Sequence, residues 1–459
     1  MGTRRNRQRQ QPLWIASEEV VRTPANAFYD RLNGLLEARR FDEHCEHLCR
    51  RYYKGPYGRP SIAPGVYFRM LLIGYFEGLD SERGIAWRVA DSLSLRKFIG
   101  YGLDEATPDH SCVSRTRRLF WVETHKAVFR WILNALIEAG LVKGQTVSVD
   151  ATTLEANAAM KAIVRRDSGE TYERYLKRLA QAEGMENPTR EQVARFDRKR
   201  KERKTSNDDW THPKDPDARI TKMKDGRTHL AHKAEHAVDL ATGAVLAVTV
   251  QAASDGDTTT ISRTLEAAQE AATMVSERGI EEVVADKGYH SSEVLKRLHR
   301  QGMRSYIPEP DRGRRRWNGK RVEQRRTYEN RRRVRGGRGK QLQKARGELT
   351  ERSFAHVYDT GGMRRLHLRG RENILKRVVV HAGAFNLGLL MRHLTGVGKP
   401  KRMSNVAIVR LADRLQNRFR CVYVIVKTSI KKLIRTSNAQ QAGYALTSPL
   451  RLLSLLRAA

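Results

Sequence analysis

The chain has 459 residues, with 87 lysines and arginines against 51 acidic residues and a formal net charge of +36. A charge of this size repels itself within a compact fold and is typical of proteins that act beside a polyanion. We identify no hydrophobic stretch that approaches the roughly 18–20 residues of a membrane span, so the composition excludes a membrane protein and favours nucleic acid as partner. The length predicts two or three domains.

The N-terminus and the cysteines indicate a cytoplasmic protein. The first ten residues, MGTRRNRQRQ, are basic and precede no apolar segment, so we expect no signal peptide. Only four cysteines occur, which is typical of a reducing compartment. Two of them, Cys45 and Cys49, alternate with His44 and His47, but no second ligand pair follows, so a helix surface is favoured over a zinc site. We therefore expect a bacterial cytoplasmic protein associated with the nucleoid.

The first third of the chain predicts a basic disordered arm over residues 1–24 and a helical domain over residues 25–140. Pro64 begins a helix that Gly78 ends, and Ser81 caps the next helix. Short helices joined by glycine, aspartate and serine turns, with arginines on their polar faces, fit a helix-turn-helix-like DNA-binding domain.

Another helix of this domain begins at Pro108-Asp109-His110-Ser111 and is rich in arginine. We expect two of its side chains, Arg115 and Arg117, to contact nucleic acid.

Residues 141–395 predict an α/β domain that follows the helical one. The pattern gives a strand ending in an acid, a charged insertion, a hairpin, a helix, a second strand ending in an acid, a helix, a strand, a basic loop and a final helix. These segments are 145–150, 155–228, 232–250, 261–275, 282–286, 291–302, 305–308, 312–346 and 372–390. With the insertion set aside, this is the order of an RNase-H-like fold, a mixed sheet flanked by helices. Residues 396–459 form an extension of unknown role.

Two acids at strand ends, Asp150 and Asp286, are the central feature of the pattern. Phosphodiester chemistry needs one oxygen activated as a nucleophile and another stabilised as a leaving group, and two divalent cations on hard carboxylate ligands do both. Three other acids, Asp239, Asp255 and Asp257, occur nearby. Turn chemistry explains Asp239, and the other two flank a glycine in a loop.

A third acid is expected from a helix packed on the sheet. Glu351 shares one helical face with Phe354, Ala355 and Tyr358, and Glu348 lies on the same face three residues earlier. Periodicity alone does not separate these two glutamates. Glu372 is a more distant candidate.

At this point the chain resembles bacterial insertion-sequence transposases of the DDE type, in the group with a long charged insertion after the first catalytic strand. The most specific block is Asp286-Lys287-Gly288-Tyr289, and the order of the blocks adds weight. The other matching blocks are Asp109-His110-Ser111, Val149-Asp150-Ala151-Thr152, Glu155-Ala156-Asn157, Asp215-Pro216-Asp217-Ala218-Arg219, His236-Ala237-Val238-Asp239 and Glu351-Arg352-Ser353-Phe354.

The resemblance implies an active site. Asp150, Asp286 and Glu351 are implied to be catalytic residues that bind Mg²⁺ or Mn²⁺, two ions together, and the Glu-Arg-x-Phe register favours Glu351 over Glu348. Family members often carry an arginine four residues before this glutamate and a lysine about seven after it, where this sequence has Gly347 and Tyr358. The nucleic-acid contacts that we expect beside this site are Lys287, His290, Arg346, Arg352 and Arg364.

The implied reaction is hydrolysis at the ends of the element, followed by attack of the freed 3′-OH on target DNA. Its partners are double-stranded DNA, as terminal inverted repeats and as target, and further copies of the chain in a homo-oligomer on DNA. No ATP is implied, because no phosphate-binding glycine-rich motif occurs.

Two other functions stay open from the residues alone. One is a catalytically inactive DNA-binding protein, which the net charge fits equally well. The other is an RNase-H-like nuclease that cuts without joining. The basic segment 312–346 is further expected to bind phosphates and to be partly disordered without DNA.

Overall fold

The computed structural model describes residues 26–53, 61–200, 206–223, 226–311, 313 and 315–400. The predicted basic arm and the C-terminal extension beyond residue 400 lie outside these ranges, so those two expectations stay predictions.

The N-terminal part of the described chain is helical, as predicted. Its helices are α1 Asn26–Ala38, α2 Phe41–Cys49, α3 Pro64–Glu77, α4 Glu82–Ala90, α5 Leu93–Phe98, α6 His110–Leu119 and α7 Val122–Glu138. The predicted ends are confirmed: Pro64 begins α3, Gly78 ends it in a left-handed conformation (φ 71°), and Ser81 accepts a hydrogen bond from the Gly84 amide at the start of α4. Cys45 and Cys49 are buried, so the expectation of a helix surface there is wrong.

The rest of the chain forms one mixed sheet with helices on both faces, and a separate pair of short strands. The strands are β1 Thr146–Glu155, β2 Val164–Arg165, β3 Trp210–Thr211, β4 Arg219–Lys222, β5 Thr228–Asp239, β6 Val245–Ala252, β7 Glu282–Ala285 and β8 Arg304–Tyr306. The helices are α8 Tyr172–Ala182, α9 Arg190–Lys199, α10 Asp257–Thr273, α11 Ser292–Arg300, α12 Arg321–Arg335, α13 Gly337–Phe354 and α14 Arg371–Thr395.

The order of the strands confirms the predicted fold class. β1 lies at the centre, antiparallel to β5 and parallel to β7; β8 follows β7 in parallel, and β6 extends the sheet beyond β5. This is the α/β arrangement expected of an RNase-H-like sheet. The insertion between β1 and β5 contributes β4 to the sheet and carries β2, β3, α8 and α9.

The predicted basic loop over residues 312–346 is wrong, because most of this segment is helical. α12 and α13 occupy it and meet at Gly336. Arginine and lysine are good helix formers, and the helix is tied to the sheet where the buried Asn330 side chain bonds both backbone groups of Ile307. Some of the charge is also neutralised by ion pairs, such as Arg331 with Glu309.

The long helix α14 joins the two halves of the described chain. It packs against α7 and α3 of the helical part and against β6 of the sheet. A side chain at Gly383 would collide with Ile132, so a glycine is what allows α14 to approach α7 closely. By length and composition α14 could cross a membrane, which our sequence analysis overlooked, but 89% of its apolar window is buried within the protein. It is a core helix.

Candidate active site

Asp150 and Asp286 lie side by side at the centre of the sheet. Only Asp286 follows the end of its strand, because β1 continues to Glu155, so the prediction that Asp150 ends a strand is wrong. β1 and β7 run parallel, with Val149 paired to Ala285, so Asp150 and Asp286 each follow this last pair. Neighbouring strands are about 4.8 Å apart, which puts the two backbones at adjacent positions on one edge. The structure therefore brings together two of the three predicted acids.

Asp150 is half-buried and carries one described cationic partner. The Arg346 guanidinium of α13 donates to Asp150 Oδ2 at 2.7 Å, and the Ala151 amide donates to Oδ1 at 2.8 Å. Burial raises the pKa of the Asp150 carboxyl, and the negative charges of Asp286 and Asp257 raise it further; the two hydrogen bonds oppose this shift without cancelling it. Burial is the main cause of the raised pKa.

Helix α13 is held on the face of the sheet that carries Asp150. The Thr350 hydroxyl lies 2.6 Å from that of Ser148, two residues before Asp150, and the Ser353 hydroxyl lies 3.0 Å from Nδ1 of the buried His236. His236 is paired across the strands with Asp150. Burial lowers the pKa of His236 to about 3, so this residue is a neutral hydrogen-bonding group that holds the helix.

These contacts explain why three of the sequence blocks occur together. Ser353 and Phe354 of the Glu351-Arg352-Ser353-Phe354 block in α13 contact His236 of the hairpin block, with the Phe354 and His236 ring centroids 4.8 Å apart. The strand block of Asp150 lies beside both. The conformation of each block therefore depends on the other two.

Glu351 follows Thr350 directly and is exposed. Among the described residues its carboxylate has neither a hydrogen-bond nor an ion-pair partner. Glu348, the alternative, is exposed too but is paired with Arg352 one turn later. Of the two glutamates, Glu351 is the one adjacent to the contact between α13 and β1.

The turn after Asp286 is fixed from the opposite face of the sheet. The Tyr289 hydroxyl donates to Glu235 Oε1 at 2.8 Å, and Glu235 is fully buried. Thr260 and Thr264 of α10 also donate to this carboxylate, and Lys233 lies 3.7 Å from it. Sequence reasoning missed Glu235, although an acid in the middle of an apolar strand was a signal that it is paired.

A further acid, Asp257, lies near Asp150 and Asp286. Its carboxylate binds the Lys233 ammonium at 2.5 Å. It comes so close to Gly288 that a β-carbon there would lie 2.5 Å from Asp257 Oδ2. This close approach explains the glycine of the Asp286-Lys287-Gly288-Tyr289 block. The sequence analysis placed Asp257 in a loop, whereas it begins α10.

The residues expected to contact nucleic acid divide into two groups. Lys287, Arg115 and Arg352 are exposed, and Arg364 is half-exposed and paired with Asp359. Arg346 is bound to Asp150, as described above.

The other two side chains are buried, so the structure contradicts their expected role. The Arg117 guanidinium donates to Glu82 at 2.7 Å and to Asn373 of α14 at 2.6 Å, which makes it an internal link between helices. His290 is only 1% exposed. Neither presents its charge to a ligand at the surface.

The acidic block of the insertion has a structural role. Asp215 is fully buried, lies 3.1 Å from His232 Nε2 of β5 and accepts a hydrogen bond from the Gly370 amide. Asp217 accepts one from the Arg371 amide at the start of α14. The block therefore fixes the insertion to β5 and to the beginning of the last helix.

The carboxylates at the site are the hard oxygen ligands that divalent cations prefer. The three predicted carboxylates are not close enough together to share one ion. Within the described ranges, no group of three histidine, cysteine, aspartate or glutamate side chains is close enough to hold a metal ion. Asp150 and Asp286 are neighbours, and the exposed Glu351 side chain has no described partner. The carboxylate oxygens of the two aspartates are donors of the kind that fits a divalent cation.

Comparison with known families identifies two transposase domains in the chain. A family model described as Transposase domain (DUF772) matches residues 18–119, and one described as Transposase DDE domain matches residues 143–387. Searches of curated proteins and of solved structures gave no match.

The longer match spans more than half of the chain and includes all three predicted acids. The fold and the match place this protein in the class of nucleotidyl transferases with an RNase-H-like catalytic domain. Within that class, the chain belongs to the insertion-sequence transposases of the DDE family. This family generally uses divalent metal ions and acts on DNA.

Proposed function

We propose that this transposase cleaves the ends of its insertion sequence and joins the freed 3′-OH to target DNA, with Asp150, Asp286 and Glu351 as the catalytic carboxylates. The observation that carries the proposal is the position of Asp150 and Asp286 on adjacent parallel strands, beneath the helix that carries Glu351. Two divalent ions, when bound, would activate the attacking oxygen and stabilise the leaving oxygen.

The chain's own residues prepare this site. Thr350 and Ser353 hold α13 against the strands that carry Asp150 and His236, so the helix that carries Glu351 is fixed beside the aspartates. Tyr289 holds the turn that follows Asp286. Rigid supports of this kind position reacting groups to within fractions of an ångström.

Arg346 lies beside Asp150, with its guanidinium bound to Asp150 Oδ2. In this proposal it is the side chain that binds the reacting phosphate, because guanidinium groups bind phosphate oxygens in a bidentate manner.

The DNA partners and the assembly follow from the same proposal. The helical segment 25–140, with the exposed Arg115, is proposed to bind the terminal inverted repeats, and Lys287, Arg352 and Arg364 the DNA near the cut. Joining two ends to one target needs two active sites, so we expect a homo-oligomer on DNA. The domain boundary at residue 140 stays a prediction.

The test is a cleavage and strand-transfer assay on duplexes taken from the DNA that borders the coding region. Asp150→Asn, Asp286→Asn and Glu351→Gln are each expected to abolish cleavage in Mg²⁺ and Mn²⁺ while leaving the Kd for DNA within about threefold. Glu348→Gln is the matched control on the same helix and should retain cleavage. Cleavage that persists in any of the three variants contradicts the assignment, and cleaved but unjoined product would instead identify a nuclease.

A further inference from the structure

The insertion and the segment before α14 enclose a cavity of about 580 Å³ at the far end of strand β1. This volume is within the range of small-ligand sites, roughly 300–1,000 Å³. Three cationic side chains line it, Lys214, Arg365 and Arg369, together with two histidines and a single acid, Glu155. The lining is therefore selective for an anion.

The charges of two of these cations are not neutralised by any described residue. Arg365 and Lys214 are exposed, and in the part of the chain that the structure describes neither side chain has a hydrogen-bond or ion-pair partner. The preceding residue, Arg364, contrasts with them, because its guanidinium is bound to Asp359 and to Thr152 of β1. The cavity is thus supplied with positive charge that the protein itself does not neutralise.

The backbone places Arg365 on the same edge of β1 as the catalytic acids. β5 pairs along one edge of β1 from Val147 to Glu155, which leaves the other edge for β7 at one end and for residues 364–366 at the other. The Glu155 amide donates to the Arg364 carbonyl at 3.2 Å, and the Leu366 amide donates to the Glu155 carbonyl at 2.9 Å. Asp286 and Arg365 therefore lie at the two ends of one open stretch of strand edge.

The length of that stretch sets how far the cavity lies from the catalytic acids. Five residues separate Asp150 from Glu155, which at about 3.3 Å per residue is roughly 17 Å. Duplex DNA carries one negative charge per about 1.7 Å of its axis, so DNA held at the acids has phosphates within reach of the cavity.

From these observations we propose that the cavity binds the phosphate backbone of the DNA held at the catalytic site, through Arg365 and Lys214. The inference rests on the proposed function for its reference point, the position of the cut. It adds a DNA contact on the charged insertion, which otherwise has no assigned role in the reaction.

The first test measures DNA affinity of the full chain against salt, without metal, by fluorescence anisotropy of a labelled 30-base-pair duplex. Each lost phosphate contact lowers the slope of log Kobs against log salt by about 0.9, so the double variant Lys214→Ala, Arg365→Ala should lose about 2 in slope and more than tenfold in affinity. The conservative double variant Lys214→Arg, Arg365→Lys should retain both.

The matched control removes two arginines at the opposite end of the sheet, Arg278→Ala with Arg300→Ala, which precede β7 and β8. It carries the same change in net charge and should stay within about twofold of the wild type. An unchanged slope in the cavity variant, or an equal loss in the control, would overturn the proposal.

A second test separates this inference from the proposed function. Ethylation interference on the bordering duplex should show phosphates near the cut whose ethylation weakens binding, and at least one of these signals should vanish in the Lys214→Ala, Arg365→Ala variant. A wild type that cuts the duplex with no such signal refutes the cavity site alone. A wild type that binds with the expected slope but never cuts refutes the proposed function alone.

Discussion

Arg346→Gln tests the electrostatic balance around Asp150. The two side chains are 17% and 21% exposed, between a fully buried pair, whose disruption costs about 3–5 kcal/mol, and a surface pair worth about 0–1 kcal/mol. We therefore expect the free energy of unfolding without metal to fall by about 2 kcal/mol. Asp150 then faces Asp286 and Asp257 with no described cation beside it, so a divalent ion should bind more tightly than in the wild type.

The assay is urea unfolding with and without 10 mM Mg²⁺. Mg²⁺ should raise the unfolding free energy of Arg346→Gln by about 1 kcal/mol more than that of the wild type. Arg352→Gln is the control on the same helix, because its partner Glu348 is 62% exposed and the pair should contribute less than about 0.5 kcal/mol. Equal losses in the two variants, or the same Mg²⁺ response in all three proteins, would refute the reasoning.

Three other predictions concern buried groups. Tyr289→Phe removes a hydrogen bond to the buried Glu235 carboxylate and should lower the unfolding free energy by about 1.5–3 kcal/mol in urea, with slower cleavage; unchanged stability would contradict it. Arg117→Met leaves Glu82 uncompensated and should cost about 3–5 kcal/mol while the salt slope of DNA binding stays the same; a smaller slope would show that Arg117 contacts DNA after all. Burial depresses the folded pKa of His236 to about 3, below its ordinary 6.5, so stability is present above pH 6.5 and should fall by up to about 5 kcal/mol as the pH drops towards 3; a His236→Asn variant with the same pH profile would contradict this.

The sequence was sufficient to predict the central strands and two of the acids. Strands have a short, strong hydrophobic signal, and such a signal precedes both Asp150 and Asp286, so parallel pairing puts the acids together. The continuation of β1 to Glu155 was missed, because residues 151–155 carry no such signal. The register of Glu351 came from the resemblance, because Glu348 shares its helical face. The contact that places this helix on the sheet is a hydroxyl pair, Thr350 with Ser148, that has no signature in either segment alone.

Two of the wrong predictions, the basic loop and the DNA contact by Arg117, have a common physical origin in how charge was interpreted. The segment over residues 312–346 was judged too basic to pack, but arginine forms helices readily and its charge is partly balanced by acids from other elements. Arg117 was assigned to DNA because it lies on an arginine-rich helix, and only the position of Glu82, 35 residues away in the chain, shows that it points inward. Pairing over such distances is a property of the tertiary structure.

The packing of α14 has a consequence for how such elements evolve. Because α14 buries its length against α3, α7 and β6, the helical region and the catalytic sheet share a single interior. A recombination event at residue 140 that exchanged one region for that of a distant relative would have to preserve the fit at contacts such as Gly383 with Ile132. New end specificities should therefore arise by point substitution on exposed surfaces rather than by shuffling of whole modules.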